Sequence, residues 1–211
     1  QNIDISNNLR IIDIIIKTLN SISQIDEIVL GISNSDQNSI YKKIAKKNKI
    51  KYIMGDQIDV LSRLIKCGKK TSATDIFRIT TESPFLYYQN INKVWSNHKL
   101  KDLDFSSVST VDGTGFEIIK LDALIRSHKE GRKKHKSELC SLYIRENQKK
   151  FRICYFKPSS KLCRKDLRLT VDYPEDLIIC RAVFEKFKKD YPLFKISKII
   201  KYLDQNSYLK K

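Results

Sequence analysis

Two short segments each deliver a carboxylate just before a proline. Thr80-Thr81-Glu82-Ser83-Pro84 closes an apolar piece beginning at Asp75, and Val171-Asp172-Tyr173-Pro174-Glu175-Asp176 closes one beginning at Leu167. Two hard oxygen donors at neighbouring strand ends suit Mg²⁺, which commonly takes one or two carboxylates and leaves its remaining positions to water and phosphate. Each carboxylate also has a plainer reading. The Asp172–Asp176 stretch can be a helix start, with Pro174 at the first helical position, Tyr173 as the cap, and Glu175 and Asp176 favoured by the helix dipole. That register leaves Asp172 outside the helix, one position too early to cap it, and so available to a ligand. Glu82 can equally be a turn residue before Pro84.

Two glycine-bearing segments are further candidates. Gly55 opens a helix on which Asp59 and Arg63 stand one turn apart; as an ordinary i,i+4 surface pair they are worth only about 0.3–0.5 kcal/mol. In Asp112-Gly113-Thr114-Gly115-Phe116-Glu117 the glycines either let backbone approach a ligand or form a turn between strands. His98, His128 and His135 have no metal-ligand spacing. Cys67, Cys140, Cys154, Cys163 and Cys180 include no C-x-x-C pair and read as reduced, mostly structural thiols.

The elements that must position these residues follow from periodicity. Residues 9–20 carry apolar positions on one helical face, with Asn7 or Asn8 available as a cap. Residues 27–33 read as a buried strand, 37–48 as a helix, 51–54 as a strand, 58–73 as a helix, 75–80 as a strand, and the stretch after Pro84 through Trp95 as a helix. This alternation implies βαβ units and a largely parallel sheet with right-handed crossovers. Beyond Leu100 the rhythm changes: strands at 105–110, 116–120 and 151–156 are separated by helical stretches near 121–130 and 136–147, which points to an antiparallel portion. A strand over 167–171, a helix from 174 to about 189 and an amphipathic helix at 196–203 complete the chain. In open α/β sheets ligands bind outside the carboxyl ends of the strands, where Glu82 and Asp172 fall.

The 211 residues show no linker-like stretch and predict one domain. No apolar run approaches 18 residues and no signal-peptide pattern opens the chain, so the sequence predicts a soluble, cytoplasmic protein with no membrane partner. A formal charge of +17 attracts phosphates and acidic surfaces in general. The lysines are spread along the whole chain and read as a solvated basic surface. No RNP or KH signature marks a specific nucleic-acid module.

Taken in order, Gly55-x-x-x-Asp59-Val60-Leu61-x-Arg63, Arg78-Ile79-Thr80-Thr81-Glu82-Ser83-Pro84, Asp112-Gly113-x-x-x-Glu117, Ser137-Glu138 with Tyr143-Ile144-Arg145-Glu146-Asn147, and Leu167-Arg168-Leu169-Thr170-Val171-Asp172-Tyr173-Pro174-Glu175-Asp176-Leu177 resemble cytidylyltransferases of the spore-coat polysaccharide and acylneuraminate type. The resemblance spans roughly residues 3–190. It implies an α/β, Rossmann-like nucleotide-diphosphosugar transferase fold with a mixed, mostly parallel sheet flanked by helices. It also implies CTP as co-substrate, an acidic sugar or related small acid as acceptor, release of pyrophosphate, a role in surface polysaccharide or glycan synthesis, and a possible homodimer. Mg²⁺ would be held by Glu82, where the family usually has Asp in an R-I-T-G-D-x-P segment, and by Asp172, the two residues expected to carry catalysis. Asp59, Arg63, Arg78, Gly113, Glu117 and Glu138 are the implied substrate-binding residues, the arginines through planar forks suited to phosphate or carboxylate and the 113–117 loop and Glu138 on the acceptor side. The chain departs from the pattern at Thr81, usually Gly, and at Leu139, usually His. It also lacks the family's opening strand and Q-A-R-x-x-S-x-R-L-P-G-K-like nucleotide loop, so a sheet edge left unpaired is expected. The alternative is a non-catalytic relative that binds a sugar acid or a partner protein.

Overall fold

The computed structural model describes residues 1–210. A hairpin of β1 (Asn2–Asp4) and β2 (Leu9–Arg10) opens the chain and leads directly into α1 (Ile11–Asn20). There follow β3 (Val29–Ser33), α2 (Ser39–Lys47), β4 (Lys51–Gly55), α3 (Val60–Lys70), β5 (Asp75–Arg78) and α4 (Ile91–Leu100). The second half contributes β6 (Phe105–Val108), β7 (Phe116–Lys120), α5 (Leu121–Glu130), α6 (Leu142–Glu146), β8 (Ile153–Phe156), α7 (Pro174–Phe187) and α8 (Ile196–Gln205).

Strands β3 and β4 pair in parallel, and a separate four-stranded sheet runs β5-β7-β6-β8. Within it β7 is antiparallel to both neighbours and β6 is parallel to β8, so three of the four strands share a direction. The fold is therefore α/β with a mixed sheet, and β7 supplies the antiparallel portion. Among the described residues β3 and β5 each have one ladder partner, and α3 packs across β3, β4 and β5.

Apolar spacing explains most of the helices. Ile196, Ile199, Ile200 and Leu203 form the buried stripe of α8 at i, i+3, i+4 and i+7. The largest core lies between α1, α7, α8 and one face of the β7 and β6 strands, where Phe85 meets Phe194 edge-on at 5.1 Å between ring centroids. A second core, with Leu61, Phe105, Ile119, Leu124 and Ile144, fills the other face beneath α3, α5 and α6.

Four expectations need correction. Asn7 and Asn8 do not cap α1: they form the β1–β2 turn, where Asn7 donates to Asp4 and Asn8 takes a φ of 49°. The helix starts at Ile11, and the Asp13 carboxylate accepts from the Arg10 amide instead. After Pro84 the chain stays irregular to Asn90, since Phe85, Leu86 and Tyr87 are buried and the Tyr87 amide donates to the Thr114 carbonyl. The expected helix at 136–147 shrinks to α6. Residues 167–171 are not a ladder strand: they are held by a bridge between Arg168 and Asp112 and by the Val171 amide donating to the Glu82 carbonyl at 3.1 Å. No described helix is long and apolar enough to cross a membrane.

Candidate active site

Register places a row of polar side chains at the carboxyl end of the four-stranded sheet. Arg78 stands opposite Glu117, Glu117 opposite Ser107, and Ser107 opposite Tyr155, so the four lie on one face of the sheet in neighbouring strands. Glu117 is buried, and burial alone raises a carboxyl pKa. The charge of Arg78 and hydrogen bonds from Ser141 and Arg145 outweigh that, and hold it below the usual carboxylate range. Arg78 Nη1 donates to Oε2 at 3.0 Å; Ser141 Oγ and Arg145 Nη2 each donate to Oε1 at 2.7 Å. Arg78 Nη2 donates to the Glu138 carbonyl at 3.0 Å.

The two carboxylate-bearing segments meet beside this row. The hydrogen bond from Val171 to Glu82 joins them, and the 112–115 loop closes on the second. Gly113, at φ +84°, has no room for a side chain: a Cβ there would lie 2.6 Å from the Thr170 amide nitrogen. This close approach lets the Leu169 amide donate to the Asp112 carbonyl at 2.8 Å. Arg168 ties the corner together by pairing with Asp112, Asp172 and Asp176. Pro174 is the first residue of α7 and Tyr173 its cap, while the Asp176 carboxylate accepts from the Asp172 and Tyr173 amides at 3.0 and 2.9 Å. Asp172 thus stays outside the helix with its carboxylate free of capping duty.

These elements enclose a cleft of about 490 Å³. Of the residues singled out from sequence, Arg78, Glu82, Gly113, Glu117 and Asp172 line it. Asp59, Arg63 and Glu138 do not. Asp59 caps α3, accepting from the Ser62 amide at 2.8 Å, and also accepts from His128 Nε2 at 2.7 Å. Arg63 forms no ion pair with Asp59; its Nη1 donates to the Asp56 carbonyl at 2.9 Å and its stem packs against Gly55, while its Nε is buried without a partner. Glu138 reaches Arg78 through its carbonyl oxygen, not its carboxylate. Asp112, Ser107, Tyr155 and Arg145 also line the cleft. Strand register alone points to Ser107 and Tyr155, while Arg145 is the basic member of the Tyr143–Asn147 motif.

Glu82 and Asp172 offer oxygen donors from two chain segments on one cleft, a donor set that fits a hard divalent cation such as Mg²⁺. Among the described residues the Glu82 carboxylate accepts only a long bond from Thr81 Oγ1 at 3.3 Å, and Asp172 pairs with Arg168, so both retain acceptor capacity. Among the described residues no group of three or more His, Cys, Asp or Glu side chains is placed to hold a metal.

The comparisons agree on the fold. A structure of a cytidylyltransferase from Leptospira borgpetersenii superposes with a TM-score of 0.85 at 18% identity, covering 95% of this chain and 85% of that one. A CMP:2-keto-3-deoxy-manno-octonic acid synthetase complexed with CTP superposes with a TM-score of 0.63 at 12% identity, covering 84% and 88%. Both share the Rossmann-like nucleotide-diphosphosugar transferase fold with this chain. In sequence, the chain is 25% identical over 203 residues to an uncharacterized protein of Methanocaldococcus jannaschii, covering 95% of this chain and 82% of that protein. It is 22% identical over 183 residues to a spore coat polysaccharide biosynthesis protein of Bacillus subtilis, covering 86% and 76%. The model of the cytidylyltransferase family matches residues 3–211, and the chain, with its paired carboxylate ends at one cleft, belongs to that family.

Proposed function

We propose that this chain transfers CMP from CTP to a hydroxyl of an acidic sugar or related small acid, releasing pyrophosphate, for surface polysaccharide or glycan synthesis. The family supports the nucleotidyl transfer, the Bacillus subtilis relative supports the polysaccharide setting, and the sugar-acid synthetase of like fold supports the acceptor class.

The observation that carries this reading is the position of Glu82. It lines the main cleft together with Asp172, and also a neighbouring pocket of about 220 Å³ formed with Arg10, Tyr41, Thr81 and Val171. A two-substrate transfer needs its reacting atoms to meet where two chambers adjoin, and Glu82 stands at that boundary. In the transfer, the acceptor oxygen forms a bond to the α-phosphorus. The bond from that phosphorus to the α–β bridging oxygen breaks, its electron pair leaves with pyrophosphate, and the hydroxyl proton passes to solvent. Glu82 and Asp172 would hold a divalent cation, which when bound would supply charge neutralisation at the α-phosphate. The chain's own residues hold the substrates in line: hydroxyls of Thr80, Ser83, Ser107 and Thr170 line the cleft as partners for a polyol, and Arg78 and Arg145 provide fixed positive charge.

The test is pyrophosphate release by the full-length protein with Mg²⁺, comparing CTP with ATP, GTP and UTP, against a panel of 2-keto sugar acids and their neutral parent sugars. Release that requires both CTP and an acid supports the reading. Absence of CTP-dependent release across the panel refutes it.

A further inference from the structure

The cleft is electrically divided. One wall carries the carboxylates of Glu82, Asp112 and Asp172, and the floor carries two guanidinium groups, Arg78 and Arg145, that share the single carboxylate of Glu117. The floor therefore keeps one positive charge in excess. Glu117 accepts from Arg78, Ser141 and Arg145, so its charge is spent within the floor.

Arg145 differs from Arg78 in what it leaves free. Arg78 spends both terminal nitrogens on protein oxygens, and its side chain is 21% exposed. Arg145 donates through Nε to Ser141 Oγ at 3.0 Å and through Nη2 to Glu117, while among the described residues its Nη1 has no acceptor. Its side chain is 45% exposed and lines the cleft, with the guanidinium carbon 5.4 Å from the centroid of the Phe105 ring. An arginine braced on two hydrogen bonds and an aromatic neighbour, with one donor edge open, is pre-organised to take an anion at little further entropic cost. The opposite wall, being acidic, repels the same anion.

We propose that Arg145 is the residue that reads the acid of the acceptor. Its open edge takes the carboxylate of the sugar acid, Glu117 and Ser141 act as positioning residues, and the acceptor hydroxyl is thereby turned toward Glu82 and Asp172. This rests on the nucleotidyl-transfer reading for its substrate class. A neutral sugar of the same ring leaves the Arg145 edge covered and unpaired, which discriminates against it.

The experiment uses the full-length protein and, from the panel, the acid that gives the fastest pyrophosphate release, together with its methyl ester. For Arg145→Met the KM for the acid is expected to rise roughly 10–100-fold, the scale of a lost charged hydrogen bond. The KM for CTP stays within about twofold, and the preference for acid over ester collapses toward unity. Arg145→Lys keeps the charge and a folded site but loses the fork, and an intermediate KM is expected. A preference for acid over ester that survives in Arg145→Met overturns the proposal. Calorimetric binding of 2-keto-3-deoxy-manno-octonic acid without CTP separates the two claims. Binding that is lost in Arg145→Met, in a protein that releases no pyrophosphate, sustains the acid site and refutes the transfer; binding unchanged in the variant refutes the acid site.

Discussion

Strand β5 begins and ends on a charged side chain, and the networks at its two ends have opposite characters. At the start, Asp75 accepts from His98 Nε2 at 3.1 Å and from Lys99 Nζ at 2.9 Å, while His98 Nδ1 lies 2.8 Å from the Ser106 hydroxyl. This aspartate, histidine and serine look like a hydrolytic triad on paper, but His98 and Ser106 are 0% and 1% exposed and neither lines a cleft described above. At the end, Arg78 joins Glu117, Ser141 and Arg145 on the other face of the sheet, and that network opens onto the cleft. Similar residue types thus do different work. A polar cluster whose valences close on themselves in the core fixes the fold, whereas one left open on a single side can receive a ligand.

Four substitutions or conditions break or sharpen this contrast. The largest effect is expected for Asp172→Asn, at the open end: pyrophosphate release falls at least about 100-fold, the scale of several kcal/mol of lost charge stabilisation. Its melting temperature moves little, because a half-exposed ion pair with Arg168 contributes at most about 1 kcal/mol. His98→Ala, at the sealed end, should do the reverse. It leaves the buried Ser106 hydroxyl without its partner and removes one of the three side-chain hydrogen bonds to Asp75, costs roughly 2–4 kcal/mol and lowers the melting temperature by about 5–12 °C, while turnover per folded molecule is retained.

Acid should also weaken the sealed end. Burial alone would raise the Asp75 carboxyl pKa, but hydrogen bonds from His98, Lys99 and Thr74 outweigh it and hold the group well below its ordinary value. A depressed folded-state pKa gives stability that is present above the unfolded value of about 3.9 and is lost as pH falls below it. The urea midpoint should therefore drop between pH 5 and pH 3, and Asp75→Asn, already less stable at neutral pH, should show a smaller drop. Glu117, also depressed, contributes with the same sign. The smallest effect is expected for Asp59→Ala. Loss of its cap on α3 costs about 1 kcal/mol by thermal melting, and the KM for either substrate is unchanged because Asp59 lies outside the cleft lining.

Local rules made much of the architecture legible. Alternation of apolar runs located β3 through α3, and α5 from Leu121 to Glu130 matches its expected bounds. Pro174 fixed the register of α7 and so the freedom of Asp172. What was hidden depends on contacts between distant segments. The Pro84–Tyr88 stretch looks helical until the Thr114 carbonyl claims the Tyr87 amide. The segment around Leu169 looks like a strand, yet it is held by the Asp112 loop and Glu82 rather than by a ladder. Asp59 and Arg63 seem to form a helix-surface pair, but the cap geometry turns Asp59 to the Ser62 amide and Gly55 draws the Arg63 stem inward. Arg145 acquires its meaning only when register sets Glu117 beside Arg78.

The contrast between the two ends of β5 is tested most directly by measuring thermal stability and CTP-dependent pyrophosphate release together for Asp172→Asn and His98→Ala. The account predicts a crossed result: Asp172→Asn melts within about 2 °C of the parent protein and is nearly inactive, while His98→Ala melts several degrees lower and turns over normally per folded molecule. An Asp172→Asn protein that releases pyrophosphate at the parent rate would contradict it, and so would a His98→Ala protein of undiminished stability.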